Sequence, residues 1–308
     1  MYPLIAKIST TVRKVTGLYG LRLWFAVGSL VAPRATLVRA ARLFCTPLPS
    51  SRSRALAAPT FGAREDSIEV DGHTVTAYVW GDPRRQPYVL FAHGWSSHGT
   101  RVAAWLPRLR QAGYAVVAFD QPAHGRSPGD QATLPCFTRH LLAVGAHFGP
   151  AAVVIGHSLG GAATANALAR GLQAERAVLI APAADPVAAA ERFADLLWIG
   201  RSLVQRMFDY FESRIGLTFD EQQAHHTAPL IGRPALIVHD LEDRDVPWSE
   251  GERYARYWPD SRLLTTRGLG HRRVLEDDAV IAAVMRFLRG ETVGDRLVST
   301  PNLPFGVA

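Results

Sequence analysis

With 308 residues, 48% hydrophobic and 20% charged, the chain has ordinary globular composition, room for one large or two small domains, and no fixed-period repeat. Two cysteines, Cys45 and Cys136, give neither a disulfide framework nor metal-ligand spacing. The eleven histidines, His225-His226 included, fall in no H-E-x-x-H or Cys/His cluster, so no metal or other cofactor is expected. The net charge of +7 is uneven: residues 1–60 carry nine cations and no acid precedes Glu65, whereas the remainder holds 25 basic against 27 acidic side chains.

Residues 1–60 interleave Leu18, Leu21, Leu23, Trp24, Phe25, Val27, Leu30 and Val31 with Lys7, Arg13, Lys14, Arg22, Arg34 and Arg39. The longest uncharged run, Leu23 to Pro33, is 11 residues, against about 20 for a spanning helix, so no transmembrane segment is expected. A secretory signal also fits poorly, because the cationic stretch is too long and Val31-Ala32 is followed by Pro33. Two readings stand side by side for this basic amphipathic arm: a helix lying in a membrane interface, or a helix packed on the body of the protein. Without a recognised nucleic-acid module, the basic patch does not point to nucleic acid. The expected location is cytoplasmic, with peripheral contact at a membrane surface.

Pro47 to Pro59 reads as a linker, and the body, residues 61–308, follows it. Ser67 to Val70 and Val75 to Trp80 alternate about Asp71-Gly72, a hairpin pattern. Strands are then expected at Tyr88–Ala92, Ala115–Phe119, Ala177–Ile180, Ala235–Val238 and Ser261–Leu264. Helices are expected at Val102–Ala112, Leu134–Phe148, Glu250–Tyr257 and Ala279–Leu288. Such alternation implies an α/β fold with a mostly parallel sheet covered on both faces and an antiparallel edge. One interval breaks the pattern. From about residue 182 to 231 the chain is helical and rich in large apolar groups, from Phe193 to Phe219, which reads as extra core or as a helical cap.

The chemistry concentrates at Val153-Val154-Ile155-Gly156-His157-Ser158-Leu159-Gly160-Gly161, where a β-branched run enters G-x-S-x-G and a small-residue helix follows. A strand, a sharp turn and a helix push the Ser158 hydroxyl out at the strand's carboxyl end, and glycines on both sides let the backbones pass. A serine hydroxyl needs a base, and the base needs an orienting carboxylate. Downstream, the strand Ala235 to Val238 runs into His239-Asp240-Leu241-Glu242-Asp243-Arg244-Asp245, and another strand runs into Arg267-Gly268-Leu269-Gly270-His271. The chain order is therefore Ser158, an aspartate, then His271.

With His93-Gly94-Trp95 and Asp120-Gln121-Pro122-Ala123-His124-Gly125-Arg126-Ser127 also in place, residues 65–290 resemble the α/β-hydrolase superfamily. The likeness is to its lysophospholipase-like, monoacylglycerol-lipase-like and small carboxylesterase members with a short helical cap. The resemblance implies Ser158 as nucleophile, His271 as general base and then acid, and Asp243 as its orienter, with Asp240 and Asp245 as rivals. It also implies oxyanion donors at the backbone N–H of Trp95 and Leu159. Asp240 stands where the family's acid loop has glycine, and Ala123 where its second motif commonly has glycine. His93 is expected to shape its loop, and His124 and His157 to be structural. The implied activity is hydrolysis of small-molecule carboxylic esters, lipid-like ones among them, through an acyl-serine. Thioesterase, amidase or perhydrolase chemistry on the same triad is the alternative, and a non-catalytic membrane-associated scaffold the reading from another class.

Overall fold

The computed structural model describes residues 2–297, with side chains from residue 17 onward; the cations Lys7, Arg13 and Lys14 lie outside the described side chains. Three helices, α1 (Tyr2–Val31), α2 (Pro33–Phe44) and α3 (Pro49–Ala57), precede the hairpin β1 (Arg64–Val70) and β2 (His73–Trp80). The chain then alternates through β3 (Tyr88–Ala92), α4 (Leu106–Gln111), β4 (Ala115–Phe119), α5 (Leu134–Phe148), β5 (Ala151–His157), α6 (Leu159–Ala169) and β6 (Ala174–Ile180). Helices α7 (Pro186–Leu197), α8 (Arg201–Ile215) and the single turn α9 (Ala224–Thr227) intervene before β7 (Ala235–Asp240). The last elements are α10 (Trp248–Tyr257), β8 (Ser261–Thr266), α11 (Gly270–Arg273) and α12 (Asp278–Leu288).

Eight strands form one sheet in the order β1-β2-β4-β3-β5-β6-β7-β8. β1 and β2 pair antiparallel, β2 meets β4 antiparallel, and all later pairings are parallel. Because successive side chains on a strand point to opposite faces, β3 and β4 feed two cores at once. Leu90, Ala92, Val117 and Phe119 enter one cluster, and Val89, Phe91, Val116 and Ala118 the other. Every residue of β3 and β4 is buried, which is why both read as unbroken apolar runs rather than as alternating ones. The α/β architecture with its antiparallel edge is as the sequence implies.

By its internal contacts the chain divides into two compact units: α1, α2, α7 and α8 form one, and the sheet with its remaining helices the other. The helical unit has its own core, with Phe25 from α1 and Ala40 and Ala41 from α2 beside Ala190, Leu203 and Met207 from the insertion. α1 and α2 fold back on each other through Ala32-Pro33, and Gly28 permits the closeness: a Cβ there would stand 2.7 Å from Thr36 Oγ1. Proline is well placed at the first position of α2, because that N–H has no partner in the helix anyway.

Three local expectations change. Pro47 to Pro59 is not linker throughout, since Pro49 opens α3 and the Ala-rich sequence after it sustains a helix. The helix expected over Val102–Ala112 is a 3₁₀ stretch, Gly99–Trp105, followed by α4, with Pro107 in the first turn where it costs no hydrogen bond. His271 lies in α11, a single turn that no apolar periodicity announces.

Candidate active site

β5 ends at His157 and α6 starts at Leu159, so Ser158 alone makes the turn, with φ 56° and ψ −123°. A residue with a side chain in that region costs about 1–3 kcal/mol and persists only where its surroundings enforce it. Two glycines supply the room. A Cβ on Gly156 would stand 2.5 Å from the Gly160 carbonyl oxygen, and one on Gly160 would collide with the Ala92 carbonyl oxygen. The Ser158 carbonyl accepts from Gly161 N–H at 2.9 Å and Ala162 N–H at 3.2 Å, locking the turn onto the first turn of α6.

The other two predicted side chains converge on it. Ser158 Oγ lies 2.9 Å from His271 Nε2, and His271 Nδ1 lies 2.7 Å from Asp243 Oδ2. If the Nδ1–H donates to the carboxylate, Nε2 is the free acceptor for the serine proton. Asp243 Oδ1 accepts from Asp245 N–H and Val246 N–H, both at 2.9 Å, and His239 Nε2 is 3.4 Å from Oδ2. Burial pushes the Asp243 carboxyl up, but the donors His239, His271 and Val246 N–H outweigh it and hold the group well below the usual carboxylate range. Of the three aspartates in the loop, it is Asp243 that meets His271; Asp245 is exposed.

Asp240 has a different place. Its buried carboxylate accepts from Glu242 N–H at 3.0 Å, Thr266 Oγ1–H at 2.7 Å and Leu269 N–H at 3.0 Å. It thus ties the loop carrying Asp243 to the loop carrying His271, which accounts for an aspartate where the family pattern has glycine. Burial pushes this carboxyl up too, and again the hydrogen bonds prevail and lower it.

The segments expected to carry the oxyanion donors both reach the serine. Leu159 opens α6, so its N–H is a first-turn donor without a partner in its own helix. Gly94, next to Trp95, packs against the nucleophile: a Cβ there would lie 2.8 Å from Ser158 Cβ.

A model of the alpha/beta hydrolase family matches residues 89–284. The chain belongs to this family. A pimeloyl-[acyl-carrier protein] methyl ester esterase of Xanthomonas campestris pv. campestris is 27% identical over 244 residues, covering 66% of this chain and 95% of that protein. Among solved structures, mouse alpha/beta hydrolase domain-containing protein 10 superposes with a TM-score of 0.58 at 19% identity, over 74% of this chain and 98% of its own. A bacterial membrane phospholipase A superposes with a TM-score of 0.58 at 20% identity, over 90% of this chain and 98% of its own.

In this alpha/beta hydrolase, three buried histidines hold backbone around the site. His93 Nε2 accepts from Gln121 N–H at 2.9 Å while its Nδ1 faces the Gly94 carbonyl at 2.7 Å. His124 Nε2 accepts from Ser96 N–H at 3.0 Å while its Nδ1 faces the Pro122 carbonyl at 2.8 Å. Both rings therefore use their neutral form, clamping the loop that carries Trp95 from either side. His157 Nε2–H donates to the backbone carbonyl of His271 at 2.9 Å, and its Nδ1 is buried without a hydrogen bond. The contacts His93–Gln121, His124–Ser96 and His157–His271, with that of Gly94, escape sequence reasoning because they join residues far apart along the chain. In the second motif, Asp120 is likewise a staple: it accepts from Tyr78 OH, Gly99 N–H and Arg126 N–H at 2.7 to 2.8 Å. Ala123 adopts φ 65°, which explains why glycine is common there.

Burial lowers His93, His124 and His157 each to about 3. Their folded values lie below the unfolded one, about 6.5, so the unfolded chain binds more protons between the two. Stability from these rings is then complete above about pH 6.5 and falls as pH drops toward 3. Urea midpoints measured from pH 7 down to 4 are expected to decline steadily; a flat profile contradicts these neutral rings.

His157→Phe keeps an aromatic ring but removes the bond to the His271 carbonyl. It is expected to lower kcat up to about tenfold, the worth of one neutral hydrogen bond, with KM little changed. Steady-state kinetics on a soluble ester checks this.

Proposed function

We propose that the protein hydrolyses carboxylic esters, lipid-like monoesters among them, through an acyl-Ser158 intermediate. The observation that carries this reading is the continuous contact Asp243–His271–Ser158, at 2.7 and 2.9 Å. His271 takes the Ser158 proton as Oγ attacks the acyl carbon, and Asp243 holds the ring with Nε2 toward the serine and stabilises the imidazolium that forms. The tetrahedral oxygen then receives the N–H groups of Leu159 and Trp95. Collapse expels the alcohol, protonated by His271. Water, deprotonated by the same ring, releases the acid and regenerates the serine.

The methyl ester esterase named among the relatives supports an ester over another acyl substrate. The convergence of three side chains on one point counts against a non-catalytic scaffold. Residues 182–231 are assigned to substrate selection as a cap on their sequence position between β6 and β7, and residues 1–60 to peripheral contact with a membrane.

A panel of p-nitrophenyl esters of increasing acyl length tests the reading. An initial burst of nitrophenol matching the enzyme concentration, followed by turnover, is expected for the acyl-enzyme. Absence of turnover on every chain length would falsify it.

A further inference from the structure

From Gly17 onward α1 carries two apolar faces. Leu18, Leu21 and Phe25 turn into the helical unit, where Phe25 is fully buried. Tyr19, Leu23, Trp24, Val27, Leu30 and Val31 turn outward at helical spacing, and every exposed residue of α1 from Gly17 on is apolar or glycine. Exposure peaks where the hairpin reverses, at 84% for Leu30 and 78% for Val31. A helix that is apolar all round is ordinarily enclosed on all sides, and a continuous apolar patch on a surface marks a contact.

A second element extends the patch. Trp198, between α7 and α8, has φ 58°, a strained value for a bulky side chain, and its indole is half exposed, 6.0 Å from the ring of Tyr19. The Arg22 guanidinium faces both rings, at 5.4 and 5.1 Å, and its Nε–H donates to the Leu196 carbonyl at 2.8 Å. Tyrosine and tryptophan beside arginine suit the level of lipid headgroups, where one end of each ring is wet and the other apolar.

Charge chooses the occupant. α1 and α2 contain no Asp or Glu, and Arg34, Arg39 and Arg42 stand exposed on α2. Two copies paired through this face would bring the same cations together, whereas anionic headgroups offset them. No helix among the described residues is long and apolar enough to cross a membrane.

We propose that the outer face of the α1–α2 hairpin docks on an anionic lipid bilayer, Leu30 and Val31 entering first, Leu23, Trp24 and Val27 along α1, and Trp198 at the headgroup level. This rests on the assignment of residues 1–60 to a membrane contact and is independent of the roles given to the triad.

The test uses the full chain and phosphatidylglycerol–phosphatidylcholine vesicles in a cosedimentation assay, with a Leu30→Asp/Val31→Asp double variant. Both side chains are exposed, so the variant is expected to keep the wild-type circular dichroism and its hydrolysis of a short soluble ester. Its vesicle affinity is expected to fall at least about tenfold, from loss of two inserted apolar groups. Vesicle binding by a chain that hydrolyses no ester would uphold the docking face and sink the catalytic reading. The proposal is overturned if the variant binds as the wild type does, or if an ester-hydrolysing wild type binds no vesicles. It is equally overturned if the face instead joins two copies, seen as a sedimenting dimer that the double variant dissociates and vesicles do not compete for.

Discussion

Ser158→Ala is expected to fold normally and to lose ester hydrolysis by about 10⁵- to 10⁶-fold in kcat, the scale on which serine triads depend on their nucleophile. Removing Oγ leaves His271 with its Asp243 partner and the glycine-lined turn unchanged, so the loss falls on chemistry rather than on structure. Alanine in the φ 56° position carries strain similar to serine's, and urea midpoints should agree within the ordinary scatter of a surface substitution. A variant that hydrolyses at more than a few per cent of the wild-type rate would remove Ser158 from the mechanism.

Asp243→Asn carries the second large effect, about 10⁴-fold in kcat. The amide can present an N–H to His271 Nδ1, which turns the ring to the tautomer whose Nε2 bears a proton and so cannot accept one from Ser158. Loss of the carboxylate also leaves the imidazolium without its counter-charge. The Val246 and Asp245 N–H groups still find an oxygen, so the loop survives. Asp245→Asn, at an exposed position in the same loop, is expected to stay within twofold of the wild type, a change of well under 1 kcal/mol. Parallel kinetics on the two variants separate the acids; equal losses, or loss in Asp245→Asn alone, contradict the assignment of Asp243.

The legible parts of this molecule were those written in short-range pattern. A β-branched run entering G-x-S-x-G can hardly be anything but a strand, a turn and a helix, and Ser158 sits at that turn. The alternation of apolar runs with helices likewise announces the parallel sheet and its antiparallel edge. What sequence could not reveal depends on close approach between distant segments. Nothing near Gly94 says that its bare Cα must pass Ser158, and nothing near Asp240 says that its oxygens reach Thr266 and Leu269. His157 is a familiar residue in its motif, yet its bond to the His271 carbonyl appears only when β5 and α11 are brought together.

The arm shows a different kind of limit. Periodicity poses a lipid partner and a protein partner as alternatives, because one apolar face looks the same beside either. α1 instead carries two apolar faces: Phe25 is enclosed among α2, α7 and α8 while Leu23 and Val27 stand exposed, and the lipid partner proposed above concerns the exposed face alone. A glycine and an alanine at the hairpin, Gly28 and Ala32, decide the packing, and neither carries a hydropathy signal of its own.

Ser158 as the activated nucleophile is read out by intact-protein mass spectrometry after treatment with a fluorophosphonate probe, which phosphonylates such a serine with loss of fluoride. One adduct per chain is expected, located by peptide mapping on Ser158 and absent from Ser158→Ala. Equal labelling of the two proteins, or an adduct mapped to another residue, would contradict it.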